Sequence, residues 1–267
     1  MRLPSFSSAA KLLRLAAPIL FIAIAVASAS CESRAPAGKK DAAPLVLRRG
    51  LGGQPGSLDP QRAEDAFSFD VLRDLYEGLT TSSPSGEVLP AAAESWSVDA
   101  SGMHYTFKLR DDARWSNGDP VLARNFVAAF RRAVDPATAS GGADLLRAIE
   151  NAPAILKGEM PAEKLGVRAI DDRTLDIMLS KPVPYFPDIL TNTVASPVHD
   201  SSLVESGSFS NGGGTISNGP YSLAEVTPGA NLRLVRNKFY WNASAVNWTR
   251  TRRRKTSTAS GKAWSRC

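Results

Sequence analysis

A mixed α/β body assembled from β-hairpins and amphipathic helices, without regular βαβ units, is the fold class this sequence predicts. Three observations predict it. Residues 94–110 and 167–179 alternate apolar and polar side chains around turn-forming residues. Residues 67–79 and the stretch from Phe126 to Val134 repeat apolar side chains at helical spacing. Short aliphatic runs near both ends of the body supply further strands.

Taken in order, Leu45-Val46-Leu47 is a short buried-strand run, and residues 50–60 form a glycine- and proline-rich loop. Phe69, Leu72, Leu75, Tyr76 and Leu79 mark one face of a helix over 67–79, with Gly78 as its stop. The hairpin over 94–110 carries Tyr105, Phe107 and Leu109 on one face and turns at Asp99-Ala100-Ser101-Gly102. Trp115-Ser116-Asn117-Gly118 is a second turn. Phe126, Val127, Phe130 and Val134 define a helix ended by Asp135-Pro136, because proline pushes the preceding residue out of the helical region. A further helix is expected over 144–157, stopped by Gly158 and kinked at Pro153. Residues 167–179 turn at Asp171-Asp172, residues 182–187 form a proline-spaced corner, and residues 211–219 form a glycine-rich loop. Strands are expected at 221–223 and 232–235.

The formal net charge is +6, yet it does not belong to the body. Residues 1–30 hold Arg2, Lys11 and Arg14 without an acid. Residues 248–267 hold Arg250, Arg252, Arg253, Arg254, Lys255, Lys262 and Arg266, again without an acid. The remainder is mildly acidic, and no aromatic residue is interleaved in the basic run from Arg250 to Lys255, so no nucleic-acid partner is expected. Cys31 and Cys267 are the only cysteines, which excludes an internal disulfide framework, a thiolate metal site and a Cys-x-x-Cys pair. Gly-x-Ser-x-Gly, His-Glu-x-x-His and P-loop motifs are absent, and Gly50-Leu51-Gly52 lacks the third glycine of a dinucleotide fingerprint. The sequence therefore predicts no enzyme, metal or cofactor. His104 and His199 read as structural.

The first thirty residues read as a secretory leader: a basic stretch, the apolar run from Leu15 to Val26, then Ala27-Ser28-Ala29-Ser30 before Cys31. Cys31 after Ala29-Ser30 resembles a bacterial lipobox, although Ser28 stands where leucine is usual. That resemblance implies acylation of Cys31 and a periplasmic protein anchored to the membrane by lipid. Residues 31–44 read as a flexible tether.

The order of motifs carries a second resemblance. Leu58-Asp59-Pro60 precedes the run from Arg73 through Leu75-Tyr76-Glu77-Gly78-Leu79, and Ala93-Glu94-Ser95-Trp96 follows. Then come Trp115-Ser116-Asn117-Gly118, Asp135-Pro136-Ala137-Thr138-Ala139-Ser140 and Pro182-Val183-Pro184-Tyr185-Phe186. Asn218-Gly219-Pro220-Tyr221 and Asn237-Lys238-Phe239-Tyr240-Trp241-Asn242 close the series. Over residues 45–247 the chain resembles the oligopeptide- and dipeptide-binding proteins of ABC importers, solute-binding protein family 5.

The resemblance implies a periplasmic-binding-protein-like fold, type II with an extra domain, truncated so that the second lobe is missing. Residues 45–79 and 196–247 would be an incomplete first lobe, residues 80–195 the extra domain, and 248–267 a basic disordered tail read out of frame. It implies short peptides as ligands, held by strand-like pairing, and an inner-membrane ABC permease as partner. Glu64, Asp65 and Ala66 would line the cleft, with Asn218 and Gly219 as a second contact. An aromatic side chain usually follows the Ala139-Ser140 position and covers the ligand; Gly141-Gly142 stand there instead. Trp96, Phe107, Trp115 and Tyr185 read as packing residues. Because a receptor buries its ligand between two lobes, the chain alone is expected to bind peptide weakly or not at all. A non-functional truncated fragment, or a receptor for nickel, haem or oligosaccharide, is the alternative reading.

Overall fold

The computed structural model describes residues 46–47, 53–203, 215–227 and 229–246, all within the compact unit that begins at Pro44. The leader at 1–30, Cys31, the tether, residues 211–214 of the glycine-rich loop and the segment 248–267 lie outside the described residues.

Strand alternation builds the largest sheet. β4 (Ala93–Val98) and β5 (His104–Leu109) form the expected hairpin. Its turn is closed by Asp99, whose carboxylate accepts from Ser101 Oγ at 2.7 Å and from the His104 amide at 3.2 Å. Gly102 there adopts φ of 71°, which side-chain-bearing residues rarely reach. β6 (Val167–Ala169) and β7 (Thr174–Met178) make the second hairpin, and β7 pairs with β5. The antiparallel order is β4-β5-β7-β6.

One face of this sheet presents Tyr105, Phe107, Leu109, Leu175 and Ile177, all buried. Helix α2 (Ala123–Val134) lies against β6 and β7 and fills that face with Phe126, Phe130, Ala133 and Val134. Burying each such large side chain contributes roughly 1.5–3 kcal/mol. The helix ends where expected, with Asp135 extended before Pro136. On the opposite face Asp176 accepts from Thr106 Oγ1 at 2.9 Å and Arg168 at 3.1 Å, with His104 Nε2 at 3.2 Å. His104 thus has a structural place.

A second sheet joins β1 (Val46–Leu47), β9 (Asn231–Arg236) and β8 (Tyr221–Thr227) in the order β1-β9-β8. Helix α1 (Ala66–Leu75) packs on β8. A two-stranded ribbon, β2 (Thr80–Ser82) with β3 (Val88–Pro90), was not anticipated, although Ser83-Pro84-Ser85-Gly86 is a turn signal and Gly86 has φ of 88°.

Three expectations need correction. The helix of residues 67–79 stops at Leu75, because Tyr76 turns extended and the backbone of Glu77 bonds to Asn218. The helix over 144–157 does not form as one piece. A 3₁₀ turn, Ala143–Leu146, is followed by an isolated bridge between Ile149 and Leu179 and by a left-handed Asn151. Only then does α3 (Ala152–Leu156) begin, with Pro153 in its first turn rather than at a kink. Finally, α4 (Phe186–Ile189) occupies the proline corner, and Tyr185 beside it is 65% exposed instead of packed.

Candidate functional site

The residues expected to line a cleft sit where the loop before α1 enters the helix. Leu58 is buried, and Asp59 next to it meets Arg132 of α2 through both carboxylate oxygens, with Arg132 Nη1 at 2.8 Å from Oδ1. Arg132 Nη1 also donates to Gln61 Oε1 at 2.9 Å. Gln61, fully buried, donates from Nε2 to the carbonyls of Val194 (3.2 Å) and Ser196 (3.0 Å). A fork-shaped guanidinium matched to a carboxylate is the geometry that makes such a buried pair tolerable. The loop is therefore fixed three residues before Glu64.

It is fixed again immediately after. Asp65 is the N-cap of α1, accepting from the Ser68 amide at 2.9 Å, Ser68 Oγ at 2.6 Å and the Gly56 amide at 3.1 Å. Burial pushes its carboxyl up, but the hydrogen bonds from Ser68 and Gly56 outweigh burial and hold it below its ordinary value. Ala66 is the exposed first residue of the helix. Glu64, between the two anchors, is exposed and leans across Gly141: a β-carbon at position 141 would stand 2.6 Å from Glu64 Oε1 and 2.8 Å from its Cγ.

Asn218 and Gly219 stand at the other end of α1. Asn218, 3% exposed, accepts from the Glu77 amide at 3.1 Å and donates to the Glu77 carbonyl at 2.8 Å. The Gly219 amide donates to the Leu75 carbonyl at 2.8 Å, and a β-carbon there would stand 2.7 Å from the Leu75 carbonyl carbon. The Gly219 carbonyl accepts from Asn237 Nδ2 at 2.9 Å. Asn218 thus spends one acceptor and one donor position on the Glu77 backbone. A ten-residue helix is about 15 Å long, so the two groups do not meet at one point.

The same end of α1 holds a joint that the sequence reading did not anticipate. The Glu77 carboxylate accepts from Tyr240 Oη at 2.6 Å and from Trp241 Nε1 at 2.7 Å. The Arg110 guanidinium lies 3.6 Å above the Trp241 ring. Burial pushes the Glu77 carboxyl up to about 7, against those two hydrogen bonds and the Arg110 charge, which favour the ionised form. Burial also raises the Tyr240 phenol. Glu77, Tyr240 and Trp241 all lie in the motifs quoted for the resemblance; their chemistry was the unused signal.

His199 bridges Ser201 Oγ (2.7 Å, Nδ1) and Asp119 Oδ2 (3.0 Å, Nε2), edge-on to buried Trp115, and so pins two loops together. Among the described residues, no group of three or more His, Cys, Asp or Glu is placed to hold a metal ion. Among them too, no helix is long and apolar enough to cross a membrane.

The sequence profile of the bacterial extracellular solute-binding proteins, family 5 (middle region) matches residues 87–261. The chain belongs to this family. The matched range runs past Asn247, where the motif-by-motif resemblance ends, into the basic terminal segment. Among family 5 proteins, the periplasmic oligopeptide-binding protein OppA of Escherichia coli K12 is 40% identical over 210 residues, covering 78% of this chain and 38% of OppA. The periplasmic murein peptide-binding protein MppA of the same organism is 37% identical over 222 residues, covering 82% of this chain and 41% of MppA. The chain thus spans about two fifths of the length of these relatives. The solved structure of Burkholderia pseudomallei OppA superposes with a TM-score of 0.70 at 37% identity, covering 74% of this chain and 39% of that one. The fold described above is therefore the α/β fold of the family 5 periplasmic receptors over that shared segment.

Proposed function

We propose that this protein is the substrate-binding component of a peptide ABC importer, capturing short peptides in the periplasm for delivery to a permease. Family membership together with identities of 37–40% to named peptide receptors supports the reading. The anchored loop at Glu64, Asp65 and Ala66 is one wall of the peptide cleft. Asn218 and Gly219, which hold the far end of α1, are the second peptide contact in this reading. In this reading residues 45–79 and 196–247 belong to one lobe, residues 80–195 are an added domain, and Cys31 carries a lipid that tethers the receptor.

Strand-like pairing with the peptide backbone accounts for ligands of mixed sequence. One wall buries only part of a peptide, so the chain alone binds weakly. The test is a titration of the ¹⁵N-labelled full chain with a mixed tripeptide pool, followed by amide shifts. Saturable shifts at residues 64–66 at high micromolar to millimolar peptide are expected. No shift anywhere with millimolar peptide overturns the proposal, as does a response only to nickel, haem or oligosaccharide. A Cys31→Ser variant is expected to move from the membrane fraction to the soluble periplasmic fraction; unchanged membrane association would remove the lipid anchor from the reading.

A further inference from the structure

Ser201, His199 and Asp119 form a chain of hydrogen bonds whose direction can be worked out. The Ser201 amide, which can only donate, lies 3.2 Å from His199 Nδ1, so Nδ1 carries a lone pair rather than a proton. The proton of the neutral ring is then on Nε2, where it points at Asp119 Oδ2, 3.0 Å away. Nδ1 is left to accept from Ser201 Oγ at 2.7 Å. A hydroxyl donating to an imidazole whose far nitrogen donates to a carboxylate is the arrangement that turns a serine into a nucleophile. Here the two ring nitrogens are exchanged relative to the serine proteases.

Each member is held in place. Asp119 Oδ2 also accepts from Asn117 Nδ2 at 2.6 Å, and the Asp119 carbonyl accepts from the Trp115 amide at 2.8 Å. The His199 ring stands edge-on to buried Trp115, 5.3 Å between centroids, and its side chain is 13% exposed. Between His199 and Ser201, the Asp200 carboxylate accepts from Asn125 Nδ2 of α2 at 3.1 Å, and the His199 carbonyl accepts from the Ser202 amide at 2.9 Å. Ser201 itself is exposed, so an electrophile reaches Oγ from solvent while the base stays largely out of water.

We infer that Ser201 is an activated nucleophile, a modification site for activated acyl and phosphonyl compounds, with His199 as its general base. Asp119 is the positioning residue that fixes the tautomer of the ring. With a fluorophosphonate, the bond from Ser201 Oγ to phosphorus forms as the phosphorus–fluorine bond breaks. Fluoride leaves with the bonding electron pair, and the hydroxyl proton passes to His199 Nδ1 and then to water. The nucleophile's own amide, which stabilises the oxyanion in serine hydrolases, is spent here on Nδ1. The adduct therefore stays, and the reaction is one event per chain rather than turnover. It does not depend on peptide capture.

The experiment treats the full chain with an alkyl fluorophosphonate and locates and times the adducts by peptide mass spectrometry. Ser201 is expected to be labelled about a hundredfold faster than the other exposed serines, the lower end of what a positioned base supplies. His199→Ala should remove that advantage, and imidazole added in solution should restore part of it, which a purely structural ring would not permit. Asp119→Asn, which keeps the size of the side chain, should slow labelling about tenfold with the thermal midpoint unaltered. Labelling of Ser201 no faster than that of other exposed serines overturns the inference. So does a rate that survives His199→Ala, or a loss in that variant that imidazole does not restore. If His199→Ala fails to fold, Asp119→Asn carries the test, and a wild-type labelling rate there overturns the inference.

Discussion

The two larger sheets of this protein are held by different physics. In β4-β5-β7-β6 the buried face is aromatic and aliphatic from end to end, and α2 closes it with Phe126 and Phe130. In the β8–β9 hairpin of the other sheet the buried apolar side chains are Tyr221, Leu223 and Leu234. That sheet's hairpin is tied to α1 by polar clasps: Asn218 to the Glu77 backbone, Asn237 to Gly219, and the Glu77 carboxylate to Tyr240 and Trp241. Burial of apolar area is indifferent to pH and forgiving of small shifts. A clasp built on one carboxylate is neither.

Substitution should expose the contrast. Phe107→Ala, in the centre of the apolar face, is expected to cost about 3–5 kcal/mol in urea unfolding, because the surrounding core cannot close the space. A loss under 1 kcal/mol would mean that face is loosely packed. Glu77→Ala should cost about 2–3 kcal/mol, mostly from leaving Tyr240 and Trp241 donors unpaired. Hydrogen exchange should localise that loss to residues 237–241 and β8–β9, with β5 and β7 protected as before.

The pH dependence sharpens the same comparison. The folded Glu77 carboxyl titrates near 7, above its ordinary value of 4.5. Its contribution is therefore fully present below about pH 4.5 and is lost as pH rises through about 7, by at most ~3 kcal/mol. Amides of 237–241 should exchange faster than the intrinsic rate increase explains between pH 6 and 8, and Glu77→Gln should flatten this. A flat wild-type profile would refute the raised value. Asp65 works in the opposite sense, since its carboxyl is held low: its stabilisation exists at neutral pH and fades in acid. Asp65→Ala, the smallest of these effects, should cost about 1 kcal/mol as a lost helix cap.

Much of the apolar sheet was legible because its signals are local. Asp99 and Gly102 sit within one turn, and Phe126, Phe130 and Val134 repeat along one helix face. The helix expected over 144–157 failed for a non-local reason, since Ile149 and Glu150 are captured by Leu179 and Met178 at the C-terminal end of β7. The candidate site divides the same way. Glu64, Asp65 and Ala66 came from a resemblance, whereas the contact of Glu64 with Gly141 and the pairing of Asp59 with Arg132 join residues more than seventy positions apart. No periodicity announces such a pair.

The clasp at Glu77 also sets a schedule. Its acceptors are made early and its donors, Tyr240 and Trp241, come 163 and 164 residues later. At ribosomal rates of about 5–20 residues per second, α1 waits on the order of ten to thirty seconds with its last carbonyls and the Glu77 carboxylate turned to solvent. The apolar sheet, complete once residue 178 is made, precedes it. The nascent chain thus carries a completed four-stranded sheet and an unfastened helix at the same moment, and that helix is the part a binding chaperone would find.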